Sequence, residues 1–171
     1  MRRMRLGVVV GAAAIVGACA PKDLFVEGAA VKVAEKIAAK VGGEVKAMRV
    51  EIERHKLSIR AQDSGDKTKV KHWEYREGAL AEPRPVVLLG KGKLDEHLFP
   101  LSSVAFAAVP AMVREAGEKL GKPITSMFLS IGMFRRTAND PPTWMLLPEG
   151  GTKDGWVGAD LSGKITSVNK K

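Results

Sequence analysis

Few residues in this chain are of types that do chemistry, and their spacing decides what remains. The three histidines, His55, His72 and His97, stand at none of the i, i+3 or i+4 separations at which ligands share one helix face, so no metal is expected. His55, between Arg54 and Lys56, reads as a solvated turn residue. Leu89-Gly90-Lys91-Gly92-Lys93 lacks the Gly-x4-Gly-Lys-Ser/Thr spacing that lets backbone N–H groups surround a phosphate. Ser102-Ser103 has no Gly-x-Ser-x-Gly setting and reads as a turn or cap. Asp63 and Asp66 fall far short of the roughly six to eight oxygens that calcium takes, so they are expected to shape a turn. No cofactor and no catalytic residue is expected, and the chain reads as a non-enzyme. Cys19 is the only cysteine, which rules out an internal disulfide or a cysteine metal cluster.

The residues before Cys19 give its thiol a use. Arg2, Arg3 and Arg5 make a basic start, and Leu6 to Val16 is an apolar run, the layout of an export signal. The run is well short of the roughly 20 residues that a helix needs to cross a bilayer. Val16-Gly17-Ala18-Cys19 resembles the lipobox of bacterial lipoproteins, with Val16 where Leu is usual. That resemblance implies removal of residues 1–18 and lipid attachment at Cys19, leaving the protein anchored in the bacterial envelope. Ala20 in place of Asp favours the outer membrane, facing the periplasm. Residues 19–27 are then the lipidated cysteine and a short tether. The chain has 28 Lys and Arg against 19 Asp and Glu, a formal net charge of +9. A basic surface suits anionic lipid or an acidic partner. Nucleic acid is not expected, because the export signal places the protein elsewhere.

Residue patterning then supplies the elements. Val33, Ile37 and Val41, with Ala34 and Ala38 beside them, form one helical face that begins at or soon after Asp23 and stops at Gly42-Gly43. Met48, Val50 and Ile52 alternate with Arg49, Glu51 and Glu53; after Arg54-His55-Lys56, Leu57, Ile59 and Ala61 alternate with Ser58, Arg60 and Gln62. The change of parity marks a hairpin. Val70 to Tyr75 reads as a third strand. A single offset carries Val33, Val41 and Gly42 onto Met112, Leu120 and Gly121, and Met48, Val50 and Ile52 onto Met127, Leu129 and Ile131. Keeping a helical and a strand period in one register argues for duplication. The expected fold is α+β: two tandem α-β-β-β modules, residues 28–81 and 103–171, joined by a linker at 82–102. Extra residues in the second module are expected at Thr137 to Pro142. Trp73 and Trp156 are expected in the core beneath the helices.

Trp156 to Ile165, in which an aromatic-containing strand leads to Asp160, Gly163 and an aliphatic residue, is similar to the closing hairpin of the PepSY-like and β-lactamase-inhibitor-like envelope domains. Ser162 stands where that group usually has Thr, and the spacing from Asp160 is one residue shorter. The resemblance implies a curved antiparallel sheet with helices packed on one face, used for binding or inhibiting other proteins. Function is accordingly expected to be non-enzymatic: an envelope lipoprotein, anchored to a membrane, that binds an envelope protein or serves a structural role. The alternative is an inhibitor of an envelope enzyme, or an enzyme whose site is scattered through the chain. The face turned away from the helices, with Arg49, Glu51, Glu53, Lys56 and Arg60, is the expected partner-binding surface.

Overall fold

Glycine ends both helices. In the computed structural model, which describes residues 21–88, 93–131 and 141–171, α1 (Ala29–Val41) stops at Gly42 with φ 79° and α2 (Val109–Leu120) stops at Gly121 with φ 71°. Those conformations carry little penalty without a Cβ. The stripe Val33, Ala34, Ile37 and Val41 on α1 is buried, as its spacing dictates. The helix starts later than Asp23, because the Asp23 carboxylate accepts the Phe25 N–H at 2.9 Å in a turn and Gly28 takes φ 70°. The signal residues, Cys19 and Ala20 lie outside the described residues, as do Leu89 to Gly92 and most of the expected insertion, residues 137–140.

The described residues form ten strands, the longer of which follow the pattern of alternation. They are β1 (Lys46–Glu53), β2 (Lys56–Gln62), β3 (Val70–Arg76), β4 (Ala79–Leu80), β5 (Arg84–Val86), β6 (Phe99–Pro100), β7 (Ile124–Ser130), β8 (Thr143–Pro148), β9 (Trp156–Ala159) and β10 (Ile165–Asn169). They join one sheet in the order β10-β9-β8-β7-β1-β2-β3-β4, with β5 on β3 and β6 on β1, and these pairs are antiparallel. The protein is thus α+β. Residues 82–102, expected as a linker, supply β5 and β6 and a 3-10 turn over Leu94–His97; Phe99 and Leu101 are buried in the core.

One face of the sheet carries the core. Val50 and Ile52 stand opposite Leu129 and Met127 at the β1–β7 junction, and Leu57, Ile59, Trp144, Leu146, Val157 and Ala159 extend the layer to both sides. Both helices contribute to this same cluster. Each such side chain contributes about 1.5–3 kcal/mol by leaving water. Two expected core positions are corrected. A bulge between Ala47 and Arg49 turns Ala47 inward, leaving Met48 half-buried; Ile131 lies just past the end of β7, half-buried at the core margin. The aromatic assignments also change. Among the tryptophans and the tyrosine, Trp144 and Tyr75 are buried, Trp73 packs on the core while half-buried, and Trp156 shares the parity of Gly158 on the opposite face.

Candidate functional site: the open face of the sheet

The side chains that alternate with the core layer point away from both helices. Glu53 pairs with Lys56, Glu51 with Ser58 and Arg49 with Arg60, so strand register brings all five expected surface residues onto one face. They do not act alike. The Lys56 ammonium is 3.0 Å from Glu51 and also pairs closely with Glu53. Burial would lower the pKa of Lys56, but hydrogen bonds to Glu53 and Glu51 outweigh that and raise it. Glu51, Glu53 and Lys56 therefore form one cluster in which two carboxylates share a single ammonium.

Arg49 joins that cluster only through Glu51, and Arg60 stays outside it. The Arg49 guanidinium lies 4.8 Å from the Phe128 ring centre and 3.8 Å from Glu51, and its Nε is buried with no hydrogen-bond partner among the described residues. Arg60 is exposed and has no ion pair among the described residues. The same face continues onto β3, where Glu74 receives His72 at 3.4 Å and Arg76 at 3.2 Å, with Arg84 of β5 at 3.8 Å. Burial opposes ionisation of Glu74, but the hydrogen bond from His72 and the field of Arg76 lower its pKa overall. His72, Glu74 and Arg84 were absent from the expected surface. Alternation in Val70 to Tyr75 carries the signal for the first two; Arg84 sat in the presumed linker. Ser58 and Gln62, expected in solvent, are 5% and 8% exposed beneath this layer of long side chains.

The start of the described chain docks at one end of the sheet. The Tyr75 hydroxyl donates to the Pro21 carbonyl at 2.8 Å, and the Leu24 N–H donates to the Arg54 carbonyl at 2.7 Å. His55 Nδ1 lies 2.7 Å from the Lys22 carbonyl, which places its proton on that nitrogen, and Arg54 pairs with Asp23 at 2.6 Å. Leu24 is fully buried. Residues 21–27, expected as tether, are thus part of the fold.

The other chemical candidates resolve into structure. Asp63 accepts the Gly65 N–H and pairs with Lys71, and Asp66 accepts from Thr68 and pairs with Lys69, so both acids brace the β2–β3 turn. Their pKa values are lowered, by Lys71 and by the Thr68 hydroxyl respectively. The Ser103 hydroxyl donates to the Pro100 carbonyl. His97 lies in the Leu94–His97 turn, and no group of three metal-binding side chains occurs among the described residues. On the helix side, a mainly apolar cavity of about 470 Å³ separates α1 from residues 101–107, with Glu35 and Glu44 among its lining. No helix of the described residues is long and apolar enough to cross a membrane. No family model matches the chain, and neither a curated protein nor a solved structure matches it.

Proposed function

We propose that this chain is an envelope lipoprotein, acylated at Cys19 and held at the outer membrane facing the periplasm, that binds another envelope protein without catalysing a reaction. The observation that carries the binding reading is the open sheet face, left uncovered by both helices and lined with charged side chains. Such a face recognises a protein through complementary charge, which sets specificity and association rate. The lipobox-like Val16-Gly17-Ala18-Cys19 supports the anchor. With Leu24 packed into the core, acylation at Cys19 leaves almost no slack between domain and membrane.

The same proposal includes a duplicated architecture of two α-β-β-β modules. Its support is the strand order, in which β1 and β7 meet at the centre and each leads outward through the next three strands in sequence, which gives each half one strand more than the α-β-β-β pattern. Val50 pairs with Leu129, its counterpart under the repeat. A PepSY-like closing hairpin is part of the same proposal and rests on the sequence of Trp156 to Ile165, whose turn is closed by Asp160 accepting the Ser162 and Lys164 N–H groups.

Two measurements test the reading. Cys19→Ala should abolish incorporation of radiolabelled fatty acid and leave an unprocessed chain; a processed, membrane-bound protein would defeat the anchor. A photo-crosslinking residue at Glu53 should give a discrete protein adduct in intact cells, and one at Lys32 on the helix side should not. Equal adducts from both positions, or none from Glu53, would remove the face as a protein-binding surface.

A further inference from the structure

Register turns the open face into lines of residues. Arg49 stands opposite Arg60, Arg60 opposite His72, and His72 opposite Arg84. Four basic side chains thus run across four adjacent strands, and Ser130 and Thr143 continue the line on β7 and β8. The like charges of Arg49 and Arg60, directly opposite one another, oppose strand pairing, and the fold relieves the line only in part. Arg60 has no ion pair among the described residues, Arg49 lies 3.8 Å from Glu51 while its Nε–H is buried and unpartnered among those residues, His72 lies 3.4 Å from Glu74, and Arg84 reaches Glu74 only at 3.8 Å. The next line, Glu51, Ser58 and Glu74, bears the opposite charge.

We propose that the Arg49-Arg60-His72-Arg84 line binds an extended acidic segment of a partner protein. This deepens the protein-binding reading above and rests on it. Adjacent strands lie about 4.8 Å apart, so the line spans roughly 14 Å. An extended peptide carries alternate side chains about 6.8 Å apart on one side, and three carboxylates in a Glu-x-Glu-x-Glu pattern cover that same length. Guanidinium groups accept such carboxylates through charge-assisted, bidentate hydrogen bonds. The width of the line argues for a thread over a flat anionic membrane, because Glu51 and Glu74, one line away, repel a broad anionic surface.

The test uses the full-length protein in nonionic detergent and a fluorescent Glu-Ala-Glu-Ala-Glu peptide at low salt. Arg60→Gln/Arg84→Gln should weaken the peptide Kd at least tenfold, whereas Lys119→Gln/Lys170→Gln, which removes the same charge elsewhere, should change it less than twofold. Arg60→Gln alone should lie between parent and double variant, and thermal unfolding should show each variant folded, since the residues replaced are largely exposed. An unchanged Kd in the double variant, or an equal loss in the charge-matched control, would overturn the proposal. So would binding to phosphatidylglycerol vesicles that depends on Arg60 and Arg84 while the peptide fails to bind. If the Glu53 crosslink forms equally in Arg60→Gln/Arg84→Gln, the line is wrong and the protein-binding reading stands. If the parent gives no crosslink, the broader reading fails first.

Discussion

Asp160 closes the β9–β10 turn through a single carboxylate oxygen. It accepts the Ser162 hydroxyl at 2.6 Å, the Ser162 N–H at 2.9 Å and the Lys164 N–H at 3.1 Å. The Ser162 hydroxyl lowers the Asp160 pKa most, burial opposes this, and the backbone donors add to the lowering. A depressed folded pKa means that the stabilisation is complete above the unfolded value of about 3.9 and is lost as pH falls through the folded value. Asp160→Ala should therefore cost about 1 kcal/mol near neutrality in urea unfolding, with the gap from the parent closing below about pH 4. A gap independent of pH would mean that the turn does not depend on the carboxylate charge. Residues of the charged face were legible in the sequence because alternation assigns each side chain to a face. Their partners were not legible. Nothing in the spacing of Glu51, Glu53 and Lys56 says that they satisfy one another, or that Gln62 is buried and donates to the Lys67 carbonyl at 2.8 Å.

Among the elements, β1 and β7 occupy the centre of the sheet, and their inward residues differ in weight. Ile52 is fully buried against Met127, whereas Ile131 follows the last residue of β7 and is half-buried. Ile52→Ala should cost about 2–5 kcal/mol and Ile131→Ala less than about 2 kcal/mol, measured by denaturant unfolding. Equal losses would show that Ile131 is held in the core as firmly as Ile52. Helix ends and hairpins were readable from glycines and from changes of parity, which are local signals. The bulge at Met48 was hidden, because Met48, Val50 and Ile52 alternate perfectly and only pairing with Ala61 and Arg60 reveals the extra residue. Strands β5 and β6 were hidden too, since runs of three and two residues hold no period to detect. Missing β5 is what kept Arg84 out of the expected site.

At the scale of the whole molecule, the described residues around both helices share one core, and the N-terminal segment belongs to it. Leu24 is fully buried, with its N–H bonded to the Arg54 carbonyl. Leu24→Ala should lower global stability by about 2–5 kcal/mol. A loss under about 0.5 kcal/mol would mean that residues 21–27 detach without consequence. The central β1–β7 pairing bears on how the chain reaches this state. On either side of that seam, neighbouring strands along the main path are also neighbours in sequence and can assemble from short-range hairpins, whereas β6 must return to β1 from beyond β5. Only the seam brings together segments roughly 80 residues apart, a closure whose entropy by loop scaling is about 4 kcal/mol beyond a constant. The largest share of the topological cost of folding thus falls on one seam, the pairing of Val50 with Leu129, with the β6–β1 closure adding a smaller one.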